Sequence, residues 1–344
     1  MEMSFRWYGE DDPVKLEQIK QIPQMKGIVS AIYSIPPGEV WPFEKIKNLK
    51  ETIEALGLKL SVIESVPVHE DIKLGRPTRD QYIQNYKQTL RNLSKAGITT
   101  ICYNFMPVFD WTRTNLAESL PDGSNSLAYE EESISRIDPL EGKLELPGWD
   151  LSYQTEKLKL LMEDYQAMSE ESLMDNLIYF LKEIVPVAEE EQLLLAIHPD
   201  DPPWKIFGLP RIITGKENVE YMLKEVDSPA NGLTFCTGSF GSNPANDLLE
   251  IIEAAKGRIH FVHARNVKWI GDKSFQETSH SIKDGSLPMV EVMKKLVETG
   301  FKGPIRPDHG RMIWGEEGRP GYGLFDRALG AAYLNGILDT VIEN

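Results

Sequence analysis

Four residues of the types that bind metal ions lie at the ends of short β-rich runs. His198 closes LLLAIHP, Cys236 lies near the end of GLTFCTGS, His263 lies late in IHFVHARN, and Asp308 closes GPIRPDHG. Two imidazoles, one thiolate and one carboxylate make a mixed soft and hard ligand set, which suits Zn²⁺, Fe²⁺ or Mn²⁺ and is unlike the all-oxygen shell of Mg²⁺ or Ca²⁺. If the four run ends converge, the sequence predicts a divalent transition-metal site.

Each of these four residues also has an ordinary structural explanation. A strand histidine is often a core group, a buried cysteine packs as a small hydrophobe, and an aspartate after a strand caps a helix. Scattered core residues have no reason to fall at the ends of four consecutive runs, so the coincidence favours metal ligation. Zn²⁺ could close such a site as a structural centre, whereas Mn²⁺ or Fe²⁺ would keep two positions for a substrate.

The residues after Asp308 are suited to proton transfer. His309 follows Asp308 directly, and Tyr322 lies in the glycine-rich stretch WGEEGRPGYG. A histidine beside a metal ligand can act as a general acid or base near neutral pH, and a tyrosine on a mobile loop can supply the complementary proton. A solvent-facing loop histidine and a tyrosine that anchors the loop are the structural alternatives.

Two arginines share a strand face with predicted metal ligands. Side chains alternate along a barrel strand, so Arg265 points to the same side as His263, and Arg306 to the same side as Asp308. A guanidinium holds a carboxylate through two parallel hydrogen bonds. We therefore predict that Arg265 and Arg306 bind an anionic substrate, with a structural salt bridge inside the barrel as the alternative.

These residues must be positioned by a regular series of elements. Eight β-rich runs begin at Phe5, Gly27, Lys59, Thr99, Leu193, Gly232, Ile259 and Gly303. Segments of helical character lie between them and after the last, at 13–22, 42–56, 79–96, 169–191, 216–226, 244–256, 288–299 and 325–342. Such alternation predicts an α/β fold with a parallel sheet, and eight repeats favour a closed (β/α)₈ barrel. In that fold the active site forms at the carboxyl ends of the strands, where the candidate residues lie.

One spacing in the series is irregular. The fourth and fifth runs are separated by more than twice the distance of any other neighbouring pair. We therefore predict a single barrel domain over residues 1–344 with an insertion at 106–149 after the fourth strand. A long loop there lies on the face of the active site and could act as a lid or a subunit contact, with a surface insertion of no function as the alternative.

Composition excludes several classes of protein. The chain has 344 residues, of which 41% are hydrophobic and 26% charged, which is typical of a folded globular domain. Its 37 basic and 53 acidic residues give a net charge of −16, so nucleic acid is a poor partner. No apolar run is long enough to span a membrane. A small anionic substrate would need a local basic pocket.

The cysteine count and the amino terminus favour a cytoplasmic protein. The chain has two cysteines, Cys102 and Cys236, too few for a disulfide framework. The first 20 residues contain acidic side chains and lack both a basic start and an apolar core, so no secretory signal is expected.

Five motifs, dispersed in order over essentially the whole chain, resemble mannonate dehydratase. They are MSFRWYGEDDPV, LAIHPDDPPW, GLTFCTGSFGSNPAND, IHFVHARNV, and GPIRPDHGR followed by GRPGYG. The resemblance implies a xylose-isomerase-like TIM barrel that dehydrates D-mannonate to 2-dehydro-3-deoxy-D-gluconate in hexuronate (glucuronate) catabolism. It also implies Mn²⁺ or Fe²⁺ as cofactor and a homo-oligomer, a dimer or larger.

The resemblance carries roles onto individual positions. Metal ligands of the family fall on His198, Cys236, His263 and Asp308, and its catalytic histidine and tyrosine fall on His309 and Tyr322. Which of the last two is the base and which the acid stays open. The alternative function is a metal-dependent sugar isomerase or epimerase of the same barrel class, and a further one is a binding module built on structural zinc.

Overall fold

The computed structural model describes residues 1–137, 139 and 155–342. The predicted insertion at 106–149 therefore lies partly outside the described residues. Within them, no helix combines the length and the apolar character that crossing a membrane requires.

Strands and helices alternate along the described chain. The strands are β1 (Glu2–Arg6), β2 (Gly27–Ser30), β3 (Lys59–Glu64), β4 (Thr100–Tyr103), β5 (Asn115–Ser119), β6 (Asn125–Tyr129), β7 (Leu194–Ile197), β8 (Asn231–Cys236), β9 (Ile259–Ala264), β10 (Val267–Gly271), β11 (Ser274–Glu277) and β12 (Pro304–Pro307). The helices are α1 (Leu16–Ile19), α2 (Phe43–Glu54), α3 (Glu70–Lys73), α4 (Arg79–Lys95), α5 (Glu131–Ile134), α6 (Thr155–Gln166), α7 (Glu170–Glu190), α8 (Lys216–Glu225), α9 (Thr237–Gly241), α10 (Leu248–Ala254), α11 (Met289–Glu298) and α12 (Phe325–Ile342).

Eight of the described strands close a parallel barrel. Around it the order is β1, β2, β3, β4, β7, β8, β9 and β12, which pairs again with β1. These are the eight β-rich runs of the sequence, so the prediction of a (β/α)₈ barrel is confirmed. The register sets His263 opposite Cys236 on one side and Arg306 on the other. Three of the candidate residues are therefore neighbours across adjacent strands.

Inward side chains fill the barrel below its mouth. Val29, Val62, Cys102, Ala196 and Phe261 form a buried cluster of their own, each from a different strand. A larger apolar core lies around it and includes buried residues of the surrounding helices. The packed floor leaves polar residues at the carboxyl ends of the strands facing an open mouth.

A second sheet, which the sequence analysis did not predict, has the strand order β10-β11-β6-β5. Strands β5 and β6 belong to the insertion, and β10 and β11 form a hairpin after β9. The two pairs meet through antiparallel pairing of Phe275 with Tyr129. The described part of the insertion is therefore an ordered element, joined to the segment that follows the seventh barrel strand.

Candidate active site

Three of the four predicted metal ligands come together at the barrel mouth. His198, Cys236 and His263 each offer one ligand atom, and these atoms lie within 4.8 Å of one another. His198 Nε2 is 3.1 Å from His263 Nδ1. The amide and the hydroxyl of Ser239 both donate to Cys236 Sγ, at 3.4 and 3.1 Å. One nitrogen of each imidazole, and the sulfur, thus face a common point.

The fourth predicted ligand, Asp308, lies beside this group. Its Oδ2 is 3.8 Å from Cys236 Sγ, and its Oδ1 is 3.8 Å from His263 Nδ1. Burial alone would raise the pKa of Asp308, but the nearby charges of Arg306, His309, His263 and Arg265 lower it well below its usual value. The carboxylate is therefore held ionised, as metal ligation requires.

The donor set fits a divalent transition metal. Sulfur and imidazole donors with one buried carboxylate suit Mn²⁺, Fe²⁺ or Zn²⁺. Asp308 Oδ1 is buried and has no hydrogen-bond partner among the described groups, although Arg306 Nη1 lies 2.7 Å away. These four residues could hold a metal ion.

Glu64, the last residue of β3, contacts the outer side of His263. Its Oε2 is 3.2 Å from His263 Nε2, while Arg306 donates to its Oε1 at 3.0 Å. Arg6 Nη1 lies 3.2 Å from the same carboxylate. A carboxylate on the nitrogen that faces away from a metal orients the imidazole and fixes its tautomer. Glu64 thus turns His263 Nδ1 toward His198 and Asp308.

The two predicted proton-transfer residues are in direct contact. His309 Nε2 and the Tyr322 hydroxyl are 2.9 Å apart, and both side chains are buried. Burial raises the pKa of Tyr322 well above its usual value, and the nearby Tyr8 and Asp308 raise it further. Tyr322 is therefore a protonated phenol at neutral pH. The glycine-rich segment brings it back over the barrel to His309.

The two predicted substrate arginines are placed differently. Arg306 lines the cavity described below, and its Nε has no hydrogen-bond partner among the described groups. Arg265 is turned to protein carboxylates, with Nη1 2.6 Å from Glu277 Oε1, Nε 2.8 Å from Asp308 Oδ2, and Nη2 bonded to Asp201. Direct substrate binding by Arg265 stays a prediction, and its contacts are those of the structural alternative.

A cavity of about 460 Å³ opens onto these groups. It is lined by His198, His263, Asp308, His309 and Tyr322, together with Arg306, Glu64, Tyr8 and Arg6 among others. This volume is in the range of small-molecule sites. Three of the potential metal ligands and the His309–Tyr322 pair therefore face the same cavity.

The insertion supplies part of the cavity wall. Asp110 and Trp111 line it, and the Trp111 ring lies 4.7 Å from the His309 ring between centroids. The hairpin β5–β6 also holds the chain just before the glycine-rich segment, because Asn125 and Met312 exchange backbone hydrogen bonds at 3.2 and 2.8 Å. The described part of the insertion is thus built into the site.

The family model of D-mannonate dehydratase (UxuA) matches residues 1–344. This chain belongs to the mannonate dehydratase family. The family resemblance drawn from the five motifs is confirmed.

Relatives in this family match over nearly their full length. Mannonate dehydratase 2 of Halalkalibacterium halodurans is 62% identical over 343 residues, which are 99% of each chain. Mannonate dehydratase of Thermotoga maritima is 58% identical over 353 residues, covering 99% of this chain and 98% of the relative. The crystal structure of mannonate dehydratase from Streptococcus suis serotype 2 has a TM-score of 0.93 at 52% identity, covering 100% of this chain and 95% of that one.

More distant structures share the fold alone. A xylose isomerase domain protein from Planctomyces limnophilus matches with a TM-score of 0.57 at 13% identity, and a D-psicose 3-epimerase from Clostridium cellulolyticum with 0.58 at 13%. They confirm the xylose-isomerase-like TIM barrel. At this identity they do not favour the isomerase or epimerase alternative over mannonate dehydration.

Several site residues were not found from the sequence. Glu64 closes the third barrel strand. It could therefore have been selected, like His198, as a residue of metal-ligand type at the carboxyl end of a strand. Asp201 follows His198 by three positions. Glu277 ends β11, a strand that no sequence periodicity predicted, and Arg113 lies in the loop before β5. For those two the sequence carried no signal.

Proposed function

We propose that this protein removes water from D-mannonate to give 2-dehydro-3-deoxy-D-gluconate, a step in hexuronate (glucuronate) catabolism. The observation that carries the proposal is a single cavity that joins potential metal ligands to a hydrogen-bonded histidine–tyrosine pair. Family membership over residues 1–344 supports the choice of substrate.

His198, Cys236, His263 and Asp308 are the proposed metal ligands, and the proposed metal is Mn²⁺ or Fe²⁺. When bound, such a cation supplies Lewis acidity, which stabilises negative charge as it develops on the substrate carboxylate. Arg306 is the proposed substrate-binding arginine, because its guanidinium faces the cavity beside Asp308. Arg265 is proposed to act on the substrate indirectly, through the carboxylates of Asp201, Glu277 and Asp308 that it contacts.

His309 and Tyr322 are the proposed base and acid. His309 Nε2 takes the C2 proton, and the electron pair of that C–H bond forms the C2–C3 double bond as the C3 hydroxyl leaves. Tyr322, protonated because burial raises its pKa, gives its proton to that hydroxyl, which departs as water. The resulting enol ketonises to the 2-keto acid. Because His309 Nε2 is 2.9 Å from the Tyr322 oxygen, the proton can return directly to Tyr322.

The proposal extends to the rest of the molecule. We propose a single barrel domain over residues 1–344, in which the described part of the insertion predicted at 106–149 acts as a lid on the cavity. Trp111 against His309 supports this role. The protein is further proposed to work in the cytoplasm as a dimer or larger homo-oligomer, and light scattering in solution would measure its size.

A product assay tests the proposed reaction. Metal-loaded protein is incubated with D-mannonate, and the 2-keto-3-deoxy acid is measured in stopped samples. We expect this acid from D-mannonate and no interconversion of neutral ketoses. Turnover of a ketose in the absence of product from D-mannonate would support the isomerase or epimerase instead.

A further inference from the structure

Glu277 is a buried carboxylate in contact with the proposed base. It is the last residue of β11, and 1% of its surface is exposed. Both of its carboxylate oxygens are 2.9 Å from His309 Nδ1. Neither the strand-end rule nor the family motifs had assigned it a role.

Two arginines hold Glu277 in place. Arg113, which is fully buried and belongs to the insertion, donates to Oε1 from Nε at 3.0 Å and from Nη2 at 2.7 Å. Arg265 donates to the same oxygen from Nη1 at 2.6 Å. A carboxylate with several charge-assisted hydrogen bonds has little freedom to rotate.

The same surroundings keep Glu277 ionised. Burial alone would raise its pKa, but the neighbouring charges of His309, Arg265 and Arg113 lower the pKa to about 2. An ionised carboxylate can only accept hydrogen bonds. When the His309 ring carries a single proton, that proton must therefore lie on Nδ1, where the Glu277 carboxylate accepts it, and the lone pair is left on Nε2.

The other side of the His309 ring agrees with this arrangement. Tyr322 is a neutral phenol 2.9 Å from Nε2, so its hydroxyl can donate to that lone pair. Tyr322, His309 and Glu277 thus form a continuous chain of hydrogen bonds. In enzymes that use a histidine base, a buried carboxylate on Nδ1 selects the tautomer in which Nε2 is free to accept a proton.

We propose that Glu277 is a positioning residue, which holds His309 in the Nδ1-protonated tautomer and directs Nε2 toward the substrate and Tyr322. Arg113 makes the inserted segment part of this arrangement, because it ties Glu277 to Asp201 by bonding both carboxylates. The expected effect of Glu277 on catalysis rests on the proposed function. The tautomer itself does not depend on which sugar acid is the substrate.

The tautomer can be measured directly. Nitrogen-15 NMR of the zinc-loaded, histidine-labelled protein reports which ring nitrogen carries the proton, and His309→Asn assigns the signals. We expect protonated Nδ1 and unprotonated Nε2 at His309 in the wild-type protein. A wild-type ring protonated on Nε2 alone would overturn the proposal, whether or not any variant folds.

Glu277→Gln tests the catalytic consequence with D-mannonate. The amide has the size of the carboxylate but can donate to Nδ1, so it no longer selects one tautomer. We expect kcat to fall by about 10²- to 10⁴-fold while KM changes by less than about threefold and metal content is retained. A variant with wild-type kcat and an unchanged His309 tautomer would contradict the proposal.

Glu131→Gln is the matched control. Glu131 also accepts a hydrogen bond from a neighbouring side chain, the Tyr129 hydroxyl at 2.9 Å, but it is not among the residues that line the cavity. We expect its kcat and the His309 tautomer to match the wild type. Failure of the wild-type protein to dehydrate D-mannonate would count against the proposed function, and the NMR result would still decide the role of Glu277.

Discussion

At the scale of single residues, the barrel mouth holds two groups of side chains with different proposed roles. His198, Cys236 and His263 converge on a common point with Asp308 beside them, whereas His309 points past this group to Tyr322. Asp308 and His309 are consecutive in sequence, yet one faces the potential ligands and the other the tyrosine. Substitutions at these two positions should therefore have separable effects.

Asp308→Asn should weaken metal binding, and His309→Asn should not. The first change removes a negative ligand, while the second removes the proposed base and leaves the ligand group complete. We expect His309→Asn to keep its metal and to lose about 10²- to 10⁴-fold in turnover of D-mannonate. Metal content by mass spectrometry and product formation are measured on the same samples. Equal loss of metal in both variants would refute this division of roles.

The residues found from sequence were those that a single geometric rule could reach. Strand ends of a barrel converge, so His198, Cys236 and His263 could be brought together without coordinates. The contacts of Arg265 could not be predicted in this way, because strand parity gives the face on which a side chain lies but not the groups that its guanidinium contacts. Glu277 lies on a hairpin whose place over the barrel mouth depends on pairing with the insertion.

At the scale of elements, the alternation of β-rich runs with helical segments identified the barrel. The predicted helical segments 79–96 and 325–342 correspond to α4 and α12, and all eight β-rich runs became barrel strands. The second sheet was missed because two of its strands lie inside a segment of mixed composition, and the other two were not recognised after the seventh barrel strand. The paired strands β6 and β11 are far apart in sequence, so local sequence patterns carry no information about their pairing.

The glycine-rich segment depends on the second sheet, and Gly321 is where the two meet. Gly321 has a φ of +77°, and a Cβ there would lie 2.5 Å from Leu127 Cδ1 on β6. We expect Gly321→Ala to displace the adjacent Tyr322 and to lower kcat by about tenfold or more. The substitution should also destabilise the fold by about 1–3 kcal/mol. Denaturant unfolding and steady-state kinetics measure both effects.

Gly315→Ala is the control in the same segment. Its φ is +69°, but a Cβ there meets nothing within 4 Å. The variant should show a similar backbone cost of about 1–2 kcal/mol and keep the wild-type kcat. If both variants lose activity equally, contact with β6 is not what positions Tyr322.

At the scale of the whole molecule, the barrel separates an active mouth from a structural floor. His260, near the start of β9, is 6% exposed, and its Nδ1 donates to the Leu195 carbonyl at 2.8 Å. Burial, with a smaller contribution from Arg258, lowers the pKa of His260 to about 4. The folded protein therefore holds this histidine neutral at pH values where the unfolded chain protonates it.

The free energy of unfolding should depend on pH through His260. Between about pH 6.5 and pH 4 the unfolded chain binds the extra proton, so stability falls as the pH falls through this range and is independent of His260 above it. The free energy of unfolding that is lost through His260 over this whole range is on the order of 3 kcal/mol. We expect His260→Gln to lack this component when urea unfolding is compared at pH 7, 5.5 and 4.5. Parallel pH curves for the two proteins would contradict the prediction.

The proposed dehydration of D-mannonate depends on a metal ion bound at the barrel mouth. The most direct test strips the protein of metal and resupplies Mn²⁺, Fe²⁺, Zn²⁺ or Mg²⁺ separately, and then measures the 2-keto-3-deoxy acid formed from D-mannonate. We predict no product from the stripped protein and activity restored by Mn²⁺ or Fe²⁺. Absence of product with every metal, despite measured metal binding, would contradict the proposed function.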